Sequence, residues 1–262
     1  MTALLTDNLP LLAGAPNGIK KLRELILELA VRGKLVPQDR NDEPASELLK
    51  RIAEEKARLV AEGKIKRIKQ ELDPSGESKA FDRLPCGWSQ ISGQEILIPR
   101  SGNSKLIKGK LFDSPASDRY PGYSASGQDV WLESWEHDGT AIVISAVGAR
   151  CGKAFLASGK WSAIANTHIV WPLSLINEHY AMLILNNENY WIRSGGAQPF
   201  IKVGETLLKK IALPPLAEQH RIVAKVDELM TLCDRLEAQQ ADAESAHAQL
   251  VQALLDLSLI HI

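Results

Sequence analysis

Toward the C-terminal end of the chain, apolar residues recur at alternating steps of four and three. The series is Ile222, Val226, Leu229, Cys233, Leu236, Gln240, Ala243, His247, Leu250, Leu254 and Leu257. Nine of these eleven positions are apolar, and a mean step of about 3.5 residues is the seam of a coiled coil. No Gly or Pro interrupts the run from Ala217 onward, so the pattern predicts one helix of roughly 60 Å at about 1.5 Å per residue. A single apolar stripe cannot bury itself, so such a helix needs a partner. The middle of the seam, Gln240, Ala243 and His247, offers little burial.

A candidate partner lies near the start of the chain. Between Ile19 and Val31, apolar residues fall at Leu22, Leu25, Ile26 and Leu29, and Gly33 stops the pattern as a C-cap would. A second helix is expected after Asn41 or Asp42 as cap, with Pro44 in its first turn. It carries Leu48, Leu49, Ile52, Leu59 and Val60, and ends at Gly63.

The middle of the chain is different. Short apolar runs at 95–98, 140–147, 153–156 and 168–171 are broken by Gly, Ser, Asn and Pro and read as strands. The continuous run 140–147 has the character of a strand buried on both faces. A short helix is expected over 178–186. The double proline Pro214-Pro215 ends this region sharply, because neither residue donates a backbone hydrogen bond and each fixes φ. The fold class is therefore α+β: one mixed α/β domain, about 81–213, flanked by long helices. The helical N-terminal region and its linker occupy 1–80, and the long helical arm 214–262.

Composition adds limits. The 262 residues suit one to two domains, and the formal net charge of -1 gives no nucleic-acid signature of its own. It argues against an isolated high-affinity DNA binder but leaves room for one that shares contacts with partners. Cys86, Cys151 and Cys233 are far apart, without a CxxC, which suggests neither a disulfide framework nor a zinc site. A reducing cytoplasm is the expected compartment. No basic n-region precedes the apolar residues at the start, and no run is long enough to span a bilayer. The basic stretch 64–69 is a candidate phosphate contact beside a linker at 73–79.

Three loops carry groups suited to reading a ligand: 123–128, 148–153 and 194–199. Each mixes Gly with side chains able to meet base edges or phosphates. The candidate DNA-binding residues are Ser126, Gln128, Arg150, Lys153, Asn166, His168, Gln198 and Lys202. Arg pairs bidentately with guanine, and Asn or Gln with adenine.

Catalytic motifs fail on inspection. Gly148–Lys153 is one residue short of a phosphate loop, and Ala154 replaces the Ser or Thr that would hold Mg²⁺. Leu213 and Leu216 flank the double proline where an adenine methyltransferase needs an amide and an aromatic ring. Glu62-Gly63-Lys64 has no partner Asp on a strand, and Glu136-His137-Asp138 reads as a solvated turn rather than a metal site. No catalytic or metal-binding residue is therefore assigned.

Five stretches together resemble the specificity subunit of type I restriction–modification enzymes. They are the N-terminal Leu22–Gln38 and Asp42–Leu49, then Gln198–Gly204, and Ile211–Val223 with Val226–Met230. The resemblance implies a subunit with two target-recognition domains, each reading one half of a split DNA sequence, held apart by long helices that form an antiparallel coiled coil. It implies double-stranded DNA, methyltransferase subunits and a restriction or motor subunit as partners, and no chemistry in the subunit itself. S-adenosylmethionine, ATP and Mg²⁺ would belong to those partners, with no cofactor here and no membrane. Leu22, Leu25, Leu29, Ile52, Val226, Leu229, Leu236, Leu250 and Leu254 are the residues expected to pair the helices or dock a partner.

Unlike the family pattern, this chain has a single recognition domain and an uncapped apolar tail. A truncated product or a natural half-subunit is expected, with self-association or a second half-subunit restoring two readers on a symmetric site. The alternative is an interaction protein that occupies methyltransferase subunits without reading DNA.

Overall fold

The fold is described from a computed structural model, over residues 17–65 and 84–260. The basic stretch at 66–69, the linker at 73–79 and the last two residues lie outside the described residues. Two compact units emerge. One combines residues up to Pro37 with those from Arg221 onward, and the other runs from Gln38 to His220.

In the first unit, helix α1 (Gly18–Val31) buries Ile19, Leu22, Ile26 and Ala30. Steps of three and four place these residues on one face. Gly33, at φ 65°, ends the helix: its N–H donates to Ala30 at 3.3 Å and that of Lys34 to Leu29 at 2.9 Å. These are the two bonds of a Schellman motif. The buried stripe is turned relative to the expected one, with Leu25 38% exposed and Leu29 half-buried. The long C-terminal helix spans Leu216–Ile260, 45 residues. It buries Ile222, Val226, Leu229 and Cys233, the expected seam, and half-buries Leu236.

Arg23 on α1 pairs with Asp234 at 2.6 Å and Glu237 at 2.7 Å on that long helix. Further along, Gln38 donates to Glu218 at 3.5 Å. As the chain advances from 23 to 38 its partners recede from 237 to 218, so the helices are antiparallel. A helix of 14 residues covers only about 21 Å of one about three times longer. Beyond Leu236 the residues through Leu255 are exposed, Leu250 at 63% and Leu254 at 61%.

The second unit opens with α2 (Ala45–Ala61). Its N-cap is Pro44, without a side-chain cap, in place of the expected Asn41 or Asp42. Asp39 engages the Asn41 N–H instead, at 2.9 Å. The Ala45 N–H donates to Gly87 at 2.8 Å and the Lys56 ammonium to the Gln94 carbonyl at 2.9 Å, while Glu55 accepts from the Ser174 N–H at 3.4 Å. Ile52, expected among the helix-pairing residues, is buried with Ala45 and Leu48 along this helix. Its contacts belong to the second unit, because the bonds of α2 tie it to loops of that unit.

Strand β1 (Ser89–Ser92) leads into a helical turn, α3 (Gly93–Ile96), and then β2 (Leu97–Ser101). Residues 95 and 96, expected as strand, are helical because Glu95 reaches back to the Ser92 N–H at 3.2 Å in a capping box. Next come β3 (Tyr120–Ser124), β4 (Gly127–Leu132), β5 (His137–Asp138), β6 (Ala141–Ser145), β7 (Ala154–Ala157), β8 (Lys160–Ala163) and β9 (Thr167–Pro172). Helix α4 (Glu178–Leu185) follows, then β10 (Arg193–Ser194), β11 (Phe200–Ile201), α5 (Val203–Leu208) and β12 (Lys210–Leu213), and the long helix is α6.

Two four-stranded sheets form, β2-β9-β6-β7 and β4-β3-β8-β5, with β1-β12 and β10-β11 as separate ladders. Between the large sheets lies a core of Ala141, Val143, Ala157, Trp161, Ala163 and Ile169, with Tyr123 and Trp171 against it. All five residues of β6 are buried, as a two-sided apolar run predicts.

The root of α6 is fixed by polar groups that are themselves buried. Glu218, 1% exposed, accepts from the Trp88 indole N–H at 2.9 Å. Gln219, fully buried, accepts from the Asn177 N–H at 3.0 Å and donates to the Pro214 carbonyl at 3.1 Å. Buried polar groups persist only when hydrogen-bonded, so this Glu-Gln pair specifies where the helix starts.

Candidate nucleic-acid interface

The strand order brings loops from distant parts of the sequence to one edge of the second unit. β3 enters β4 through the turn at 124–127, and β8 runs parallel to β3. The β8–β9 turn therefore emerges beside the β3–β4 turn, with the Ile164 N–H donating to Tyr123 at 3.0 Å. β9 is antiparallel to β6, which places the β6–β7 loop alongside: the Ala146 N–H donates to Asn166 at 2.9 Å. That loop in turn meets the β10–β11 turn through Gly148 N–H to Pro199, 2.8 Å. The exit of β2 joins from the other side, through Gly102 N–H to Thr167 at 3.0 Å and Asn103 N–H to Ala163 at 2.8 Å.

Ser126, Gln128, Arg150, Lys153, Asn166 and Gln198 are all exposed on these loops or at their strand ends. Lys153 stands over the Phe155 ring at 5.7 Å from its centroid, and the same ring lies against Gly127, so the β3–β4 turn and the β6–β7 loop share an aromatic floor. Arg150 sits on a well-tied loop. The Arg193 guanidinium donates to the Cys151 carbonyl at 3.1 Å, and the Trp191 ring packs on Gly152. Cationic and amide side chains standing on a hydrogen-bonded framework are suited to phosphates and base edges.

Two expected residues stand apart. His168 is half-buried within β9, opposite Ser101 and Ile144 in the ladder, and burial holds its imidazole below the ordinary value. Lys202 lies beyond the β10–β11 turn, at the N-cap of α5, with its ammonium 2.9 Å from Glu205. Lys105, which the sequence pattern does not single out, is exposed at the exit of β2, with its N–H held by the Asn103 side chain at 2.9 Å. Its loop has no apolar periodicity, and only the ladder to Ile164 brings it to the rim.

Glu136-His137-Asp138 is not the solvated turn that its composition suggested. His137 and Asp138 form β5, the imidazole lies 4.7 Å from the Trp161 ring and 5.9 Å from Trp171, and burial lowers its basicity. Glu136 accepts from the Asn103 side-chain amide. Among the described residues no group of three or more His, Cys, Asp or Glu is arranged to hold a metal ion. None of the described helices is long and apolar enough to cross a membrane.

The loop-rimmed sheets of the second unit, with exposed cationic and amide side chains, have the make-up of a binding module rather than of a catalytic centre with assembled acid–base or metal groups among the described residues. Residues 132–244 match the family model described as type I restriction modification DNA specificity domain. The chain is 40% identical to the EcoAI type I restriction enzyme specificity subunit of Escherichia coli, over 91% of its length and 44% of that protein. It is 38% identical to the EcoEI specificity subunit of the same organism, over 91% of its length and 43% of that protein. A solved chain described under complex assembly and conformational transition of the type I R-M system shares the fold: TM-score 0.55, 19% identity, 91% of this chain and 56% of that one. Over 91% of its length the chain is thus similar to type I restriction enzyme specificity subunits, and residues 132–244 match their DNA specificity domain. It spans less than half the length of these curated relatives.

Proposed function

We propose that this chain reads one half of a bipartite double-stranded DNA target for a type I restriction–modification complex. The observation that carries the reading is the gathering of five loops at one edge, where Arg150, Lys153, Gln198, Gln128 and Lys105 stand exposed. Base edges would be read by the amide and guanidinium groups, and phosphates by the lysines. Methyltransferase and restriction subunits dock on the helices and bring S-adenosylmethionine, ATP and Mg²⁺ with them. The long helix, roughly 67 Å at about 1.5 Å per residue, spans about two DNA turns of roughly 34 Å, which suits a spacer.

The test is enrichment of randomised duplexes by the chain reconstituted with methyltransferase subunits. A recurrent half-site motif supports the reading; uniform affinity for every sequence at physiological salt refutes it. A second reading rests on the exposed apolar residues Leu250, Val251, Leu254 and Leu255 of α6. They favour docking of a partner subunit, and capture of methyltransferase without motif enrichment would make the chain an interaction protein that does not read DNA.

A further inference from the structure

The exposed polar residues of the rim are not equivalent, and one of them is held far more firmly than its exposure demands. Asn166 has φ +65°, the one positive φ outside glycine in the second unit among the described residues. Its carbonyl and the residues on either side of it in the turn are tied. The Asn166 carbonyl accepts from the Ala146 N–H at 2.9 Å, and the neighbouring Thr167 hydroxyl donates to the Ile164 carbonyl at 2.7 Å across the turn. Gly102 packs so tightly beneath that a Cβ there would collide with the Thr167 hydroxyl and the Ile164 carbonyl. Asn166 itself is exposed, and its side-chain amide makes no hydrogen bond to any described residue. Asn in this backbone region is commonly stabilised by bonding locally; here the exposed side chain stands unbonded on a turn held by its neighbours, between the β2 exit and the Arg150 loop.

Resting on the DNA-reading function above, we propose that Asn166 is a specificity-determining residue that recognises adenine in the major groove. An Asn amide fits the adenine edge in one orientation only: Nδ2–H donates to N7 while Oδ1 accepts from the N6 amino group. A fixed turn sets where Cα and Cβ of Asn166 stand, so only two side-chain torsions remain to be ordered when the amide meets the base. A flexible turn would lose the geometry that distinguishes the bases.

Two substitutions separate this role from a structural one. Asn166→Gly adopts positive φ more readily than Asn, so it keeps the turn and deletes only the amide. Asn166→Asp keeps the shape but can only accept, which suits the N4 amino group of cytosine instead of adenine. The chain reconstituted with methyltransferase subunits is used to enrich randomised duplexes, and the wild-type motif is compared with those of the variants. Asn166→Gly is expected to keep its melting temperature and lose discrimination at a single A·T position, by on the order of tenfold to a hundredfold. Asn166→Asp is expected to shift that position toward C·G. Replacing the adenine with 7-deazaadenine should weaken wild type and leave Asn166→Gly unaffected, because only the former donates to N7. An unchanged motif in both variants, or an even loss over all positions with fold intact, overturns the inference while the DNA-reading function stands. Absence of any motif with wild type overturns that function and this inference with it.

Discussion

Gly152 offers a direct measure of how the recognition loop is held. Its φ of +92° is strained for any residue with a side chain, and a Cβ there would stand 2.8 Å from Cδ1 and 3.1 Å from Cγ of Trp191. That ring cannot retreat cheaply, since its indole N–H donates to the Leu185 carbonyl at 2.7 Å and its face meets Tyr190 edge-on at 5.6 Å. Gly148, four residues earlier in the same loop, has a similar φ of +88° but open space around the Cβ position. The pair is therefore a built-in control. Gly148→Ala pays only the backbone term, about 1–2 kcal/mol. Gly152→Ala adds the overpacking of an indole, about 1–3 kcal/mol, for a total of about 2–5 kcal/mol. Urea unfolding followed by far-ultraviolet circular dichroism measures both, and DNA affinity reports whether the displaced loop still presents Arg150. Equal losses from the two substitutions would refute the claim that Trp191 pins this loop.

Four further outcomes follow from the packing and the charges. Ile26→Ala, at a fully buried position of α1, is expected to destabilise by about 2–5 kcal/mol. Arg23→Ala should cost under about 1 kcal/mol and less in high salt, because its carboxylate partners are 71% and 60% exposed; denaturant titrations at two salt concentrations separate the two effects. Burial first, opposed by Glu136 and aided by Arg100, depresses the His137 imidazole, and burial likewise depresses His168. Their contribution to stability is complete above the ordinary value of about 6.5 and declines as pH falls from there toward the depressed folded-state values. Unfolding curves across that acid window should flatten in the His137→Gln variant, and an identical acid loss would exclude the assignment. Arg150→Ala and Lys153→Ala should each weaken DNA binding. Where the lost contact is to phosphate, the logarithmic salt slope shrinks by about 1 with affinity falling evenly over sequences; where it is to a base, one motif position relaxes.

The helices were legible because their information is local. The seam Ile222, Val226, Leu229 and Cys233 is set by spacing along one segment, and Gly33 and Gly63 mark helix ends through bonds that reach only a few residues back. Strand β6 was legible for a similar reason: five consecutive buried residues leave no polar face to misread. Less was visible where strands are short and polar on one side. The Ser126–Gln128 stretch read as a loop, yet it closes a hairpin whose members β3 and β4 were not anticipated, and β8 was missed because Lys160–Ala163 gains its identity only by pairing with β3 and β5. Residue choice at the site shows the same division. Arg150, Lys153, Gln128, Ser126, Asn166 and Gln198 were chosen for their chemistry, and the structure places them on adjoining loops or strand ends. Lys202 and His168 had the same chemistry but are occupied by Glu205 and by burial.

Sequence by itself determined the helical arm, its seam, its stops and the chemical types on offer in the loops. The tertiary structure decided which loops meet and which polar groups remain available. That decision belongs to the sheet order β2-β9-β6-β7 and to the parallel pairing of β8 with β3. Such pairings join residues tens of positions apart through backbone hydrogen bonds, which every residue but proline can make alike, so side-chain identity leaves little trace of them along the chain.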